Sequence, residues 1–238
     1  MTIRVLDLET TGTNPETDKV VEIAAMDVIK INGRYELANV REDLVNPGIP
    51  IPAQASAVHH IIDADVFNAK PFDKVFDPYT QSTSDLVIVA HNAAFERSFL
   101  EKEFDEREVA TQWLCTYKVA LRVWPDFESH SNQFLRYKLG FADPFGVPRN
   151  QINAHRALGD CYVTACIFTA LLQRAKYADM LKWSAEPALL TKFRFGKHKG
   201  ERFDAVPKDY LHWIVTKSDM DEDMKFSAKY WLKKQVAA

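Results

Sequence analysis

The sequence predicts an α/β fold, a mixed sheet with helices on its faces, followed by a small C-terminal module of one hairpin and two helices. Three observations carry that expectation. Strand-like runs come first and helical stretches dominate later, with one further apolar strand between them. A turn dipeptide, Asn32-Gly33, joins two long strand-like runs. The charge changes sign along the chain: the net charge of −3 divides into −7 over residues 1–175 and +4 over the remainder. A chain of 238 residues suits one domain of about 150–200 residues with an appendage, and 47% hydrophobic content is ordinary for a globule with a real core.

Taken in order, residues 3–8 read as a first strand, and 20–31 and 34–45 as the arms of the Asn-Gly hairpin. Pro50 and Pro52 interrupt the chain before a short helical stretch. Residues 71–80 read as a modest helix. Residues 86–90, Leu-Val-Ile-Val-Ala, are apolar throughout and read as a buried parallel strand. Helices are expected at 93–103, 116–123, 130–138 and 155–174. A linking stretch, 176–191, contains Pro187. Beyond it Phe193-Arg194-Phe195, the turn Gly196-Lys197-His198-Lys199-Gly200 and Phe203 predict a hairpin packed on helices at about 207–217 and 221–234. The expected division is 1–175, 176–191 and 192–238.

Function classes narrow on the same grounds. The basic tail with interleaved aromatics suits phosphate contact and base stacking, and its Gly-Lys pair lacks the spacing and Ser/Thr of a P-loop. Cys115, Cys161 and Cys166 are odd in number, sit in apolar contexts and lack metal-binding spacing, so reduced thiols in a cytoplasmic protein are expected. The N-terminus carries no signal pattern, and no apolar run approaches ~18 residues, which excludes a membrane span.

Chemistry concentrates in three places. Asp7 and Glu9 stand i, i+2 on the first strand, so both point to one face. Two such acids repel unless a cation lies between them, and oxygen-only ligands suit Mg²⁺ or Mn²⁺ better than zinc. His155 and Asp160 are five residues apart, about 140° beyond a full helical turn; they reach one centre if His155 lies on the loop entering the helix. A third acid, Glu96, follows Asn92 where the 86–90 strand gives way to a helix. His59 and His60 are given no metal role, His91 is expected to support the strand end, and Trp113 and Trp124 to line core or groove.

Together these segments resemble the DEDDh 3′–5′ exonucleases, the DnaQ-like or RNase T-like superfamily. Asp7-Leu8-Glu9-Thr10-Thr11-Gly12 matches its first motif in full, and His155, Ala157 and Asp160 match its third. Asn92, Ala93 and Phe95 match the second, with Glu96 where the family carries aspartate. Residues 44–52, 57–61 and 113–125 agree as well, and the likeness to the bacterial exonuclease X subgroup extends through Phe193 to Ile214. The resemblance implies a ribonuclease H-like sheet. It implies that Asp7, Glu9, Glu96 and Asp160 hold two divalent cations, Mg²⁺ or Mn²⁺, about 3.5–4 Å apart. His155 would take the proton of the attacking water, and Thr10, Thr11 and Asn92 would contact substrate. The implied reaction cuts the terminal phosphodiester and releases a 5′-nucleoside monophosphate. DNA is expected over RNA, from a monomer or homodimer. Two alternatives remain: a 3′–5′ exoribonuclease using the same five residues, and a nucleic-acid-binding polymerase accessory subunit with impaired catalysis.

Overall fold

The computed structural model describes residues 1–81 and 85–237. Its centre is β1 (Thr2–Thr10), the middle strand of a five-stranded sheet. To one side lie β2 (Val20–Ile31) and β3 (Arg34–Leu44), both antiparallel to their neighbours. Asn32 and Gly33 join them at φ 50° and 82°, the left-handed pair that this turn requires. To the other side β4 (Leu86–Ala90) and β5 (Thr111–Cys115) run parallel, giving the order β3-β2-β1-β4-β5. Parallel strands need both faces covered, and β4 is buried at every position.

Helices α1 (Ala53–His59) and α2 (Asp63–Val66) close over Val21 through Ile51, Ile61 and Val66. The stretch expected as one helix at 71–80 forms two single turns, α3 (Phe72–Val75) and α4 (Asp77–Thr80). Pro78 in the first turn of α4 has no N–H to continue a longer helix. They are followed by α5 (Ala94–Glu106), α6 (Thr116–Val123), α7 (Asn132–Lys138), α8 (Ala157–Leu172) and α9 (Tyr177–Ala185). The sheet separates two cores. Leu6, Leu8, Ile23 and Ile88 pack on Phe76, Tyr79, Leu100 and Phe104. Val5, Met26, Val89 and Leu114 pack on the opposite layer, where α8 contributes Cys161, Ala165 and Phe168. A helix held between sheet and other helices is apolar nearly all round. The three cysteines are buried and free, and Trp124 and His59 are also buried.

The linking stretch is mostly α9, whose Met180 joins the body core and whose Ser184 hydroxyl accepts the Cys115 N–H at 2.8 Å. The expected C-terminal hairpin is reduced to one antiparallel bridge, Lys192 with Arg202; among the described residues it has no strand ladder. Phe193 N–H still donates to the Glu201 carbonyl at 2.9 Å. The rings of Phe193 and Phe203 stack with centroids 4.0 Å apart, so the loop folds around its own aromatics. That pair forms a third core with Leu211 and Ile214 of α10 (Lys208–Lys217) and Met224 and Ala228 of α11 (Glu222–Ala237). This core abuts Leu121 and Tyr117 of α6. No described helix is long and apolar enough to cross a membrane.

Candidate active site

Strand period two sends Leu6 and Leu8 into one core and turns Asp7 and Glu9 toward α8. There the first turn of α8 presents Asp160. One carboxylate oxygen from each of Asp7, Glu9 and Asp160 lies within 4.8 Å of the others. Glu96, on the first turn of α5 and only 3% exposed, adds its charge to theirs. Burial raises the Asp7 carboxyl well above the usual range, with Asp160, Glu96 and Glu9 pushing the same way. Glu9 is pushed up to about 8 by burial, then by Asp160 and Glu22. Glu96 is pushed up to about 8 by burial, with Glu9 adding to it. Asp160 is raised by burial against hydrogen bonds that oppose the shift. Such a group holds protons until a cation replaces them. Glu96 Oε2 is buried without a hydrogen-bond partner. An unpartnered carboxylate oxygen beside three convergent carboxylates fits a hard divalent cation with oxygen ligands.

His155 does lie on the entering loop, as its spacing from Asp160 requires. Its backbone is left-handed (φ 57°), its side chain is exposed, and its N–H donates to Asp160 Oδ2 at 3.2 Å. The other Asp160 oxygen accepts from Gln133 Nε2 at 2.5 Å. Fully buried Arg136 donates to Gln133 Oε1 at 3.3 Å and to the Ala142 carbonyl at 3.0 Å, which fixes that amide. The head of α8 is latched to the sheet by Glu22, which is 0% exposed. Its carboxylate accepts the Ala157 N–H at 2.8 Å and a fork of donors from Arg156, one of them at 3.0 Å. A carboxylate at a helix N-terminus also suits the helix dipole. Sequence reasoning overlooked Glu22, Arg156 and Gln133. Glu22 carried a usable signal, an acid inside a strand buried from Val20 to Val28, since a buried charge needs a partner. Gln133 carried none.

The remaining expected residues surround this centre. The hydroxyl of Thr10 donates to the Gly12 carbonyl at 2.5 Å and that of Thr11 to Asp18 Oδ1 at 3.2 Å, so both brace the turn after Glu9. A Cβ on Gly12 would stand 2.4 Å from the Asp18 carboxylate, so a side chain there would push that carboxylate away from Thr11 and the Asn14 N–H. Asn92 is exposed at φ 76° between β4 and α5. His91 supports the strand end, its ring bonded to Thr116 Oγ1 at 2.9 Å and the His130 carbonyl at 2.8 Å; burial lowers it to about 4.

A mixed sheet whose central strand offers two acids to a helix-borne third gives an oxygen-only site that suits divalent cations of the kind used in phosphodiester hydrolysis. Residues 5–168 match the RNase T family model, described as exonuclease. The chain is 34% identical over 238 residues to Exodeoxyribonuclease 10 of Escherichia coli K12, covering 97% of this chain and 98% of that one. It is 35% identical over 193 residues to a DNA polymerase III subunit epsilon-like protein of Rhodobacter capsulatus, covering 78% of this chain and 26% of the relative. Among solved structures, exonuclease X in complex with 5′-overhanging duplex DNA superposes with a TM-score of 0.58 at 30% identity, covering 77% of this chain and 99% of that one. The nuclease domain of 3′hExo, a DEDDh family member bound to rAMP, shares the fold at 17% identity (TM-score 0.57, covering 72% and 92%). The chain belongs to the RNase T-type, DEDDh exonuclease family, and it is an exonuclease similar to exonuclease X.

Proposed function

We propose that the chain is a 3′–5′ exodeoxyribonuclease that removes 5′-nucleoside monophosphates from DNA ends, with residues 1–175 carrying the chemistry. The observation behind this reading is the cluster of Asp7, Glu9 and Asp160 with the unpartnered Glu96 oxygen in its wall. The DNA named for Exodeoxyribonuclease 10 and for the exonuclease X complex supports the choice of DNA over RNA. Asp7, Glu9, Glu96 and Asp160 would hold two divalent cations, Mg²⁺ or Mn²⁺. Bound cations supply Lewis acidity toward water and phosphate and compensate charge on the departing oxygen.

The protein's own groups do the rest. His155 stands on an exposed, left-handed loop tied to Asp160 by its backbone, so its ring is free to turn toward substrate. It takes the proton of the attacking water. Gln133 and the His155 N–H hold both Asp160 oxygens, which fixes the carboxylate against rotation. Thr10, Thr11 and Asn92 border the centre and contact the terminal nucleotide, the threonines through a turn whose shape their hydroxyls set. The test uses matched 5′-labelled single-stranded DNA and RNA in Mg²⁺ and in Mn²⁺, with Asp7→Ala as control. The expected result is a ladder descending from the 3′ end, faster on DNA and absent in the variant. No ladder in either metal would overturn the reading, and a faster ladder on RNA would overturn its DNA choice.

A further inference from the structure

The nuclease chemistry leaves a groove of about 690 Å³ unexplained where the body meets the C-terminal module. One wall is Tyr117 of α6 and the 127–132 segment leading into α7; the other is the 190–194 segment with Lys199 and Gly200. The groove borders elements that carry the catalytic centre. Asn92 on its rim lies four residues before Glu96, and Asn132 donates to the Asp160 carbonyl at 3.3 Å.

Its lining is basic and aromatic. Lys192 and Lys199 have no ion-pair partner among the described residues, and Arg194 bonds only the Tyr117 hydroxyl, its guanidinium 5.6 Å from that ring's centre. The acid in the groove, Glu128, is paired with Lys138 at 3.2 Å and lies within the weaker field of Lys192. Three cations outside any carboxylate ion pair, beside two half-buried rings (Tyr117 and Phe127), match an unpaired strand, whose phosphates need charge and whose bases offer flat faces. Nothing in the two-acid strand or the α8 loop requires these residues, so their juxtaposition calls for a ligand of its own.

Building on the exonuclease reading above, we propose that this groove holds the single DNA strand upstream of the few 3′-terminal nucleotides seated in the catalytic centre, its phosphates on Lys192, Arg194 and Lys199. The C-terminal module thereby makes the enzyme favour long strands over short ones.

The test uses the full-length protein with Ca²⁺ in place of Mg²⁺, following fluorescence anisotropy of labelled oligothymidylates of twelve and of three nucleotides. In the triple variant Lys192→Glu, Arg194→Glu, Lys199→Glu, binding of the longer strand weakens at least ~ten-fold, and the slope of log affinity against log salt falls by about 2. The three-nucleotide strand changes by less than ~three-fold, since it lies inside the catalytic centre. The corresponding triple alanine variant moves in the same direction by less, which separates lost contacts from repulsion or misfolding. Equal weakening of both lengths, or none for the longer strand, overturns the proposal. Length-dependent weakening in a protein that turns over no substrate in Mg²⁺ or Mn²⁺ keeps the groove and removes the nuclease reading. Intact turnover with unaltered binding in the variants does the reverse.

Discussion

At Glu96 the chain carries a side chain one methylene longer than its family's aspartate, and the structure accommodates it by burial on the first turn of α5. Glu96→Gln keeps the shape and removes the charge. With Mg²⁺ limiting, turnover is expected to fall at least ~ten-fold and to recover in part as Mg²⁺ is raised; a rate within a few-fold of wild type would remove Glu96 from the metal centre. The acids also make stability depend on pH. Their folded pKa values are raised, Glu9 from 4.5 to about 8, so the folded protein keeps protons that the unfolded chain has released. In EDTA, the stability these acids contribute is fully present below about pH 4.5 and is lost as the pH rises toward 8. A divalent ion replaces those protons, so the rise in Tm on adding Mg²⁺ should be larger at pH 8 than at pH 5. A pH-independent increment in a thermal shift assay would contradict this. Asp7, Glu9 and Asp160 were legible because strand alternation and the loop position of His155 are local rules. Gln133 was not, because only tertiary packing carries it to Asp160.

Among the elements, α8 decides whether the site exists, and its start depends on residues far away in sequence. The expected helix from 155 begins instead at Ala157, because Glu22 on β2 accepts the Ala157 N–H. A cap supplied by a residue 135 positions earlier leaves no local trace. The apolar run to Leu172 needed no partner to be read. Gly159 seats the helix on its entry loop: a Cβ there would stand 2.3 Å from the Asn153 carbonyl oxygen. Gly159→Ala should therefore displace the loop bearing His155, lowering both Tm and kcat, the latter by ten-fold or more on the order seen when catalytic groups are misplaced. Arg156→Ala acts on the other side of the latch. It leaves the Glu22 carboxylate buried with one donor from Ala157, at a stability loss on the order of 3 kcal/mol; urea titration of the variant measures it. A loss under a few tenths of a kcal/mol would mean that the ion pair does not hold α8.

Across the whole molecule, the change of charge near residue 175 falls between a body and a module that the fold joins through α6. The side chains of Leu121 and Tyr117 face the module core. Arg122 pairs with Glu186 at 2.5 Å, and Lys118 Nζ donates to the Glu186 carbonyl at 2.7 Å. The basic, aromatic character of the tail was legible in composition, whereas its single-bridge loop was not: Phe193 and Phe203 read as strand residues, yet they stack on each other. Phe203 is 0% exposed in the middle of the third core. Phe203→Ala removes about 3–5 kcal/mol from that core while leaving the sheet and the acid cluster outside it. Phe203 packs within the module's own core, so the loss should fall chiefly there. Calorimetry is then expected to resolve a new, lower transition ahead of the body's own, and turnover should fall for long strands far more than for a dinucleotide. One transition shifted as a whole, with all lengths slowed alike, would mean that body and module fold as a single unit and that the tail acts on catalysis through stability alone.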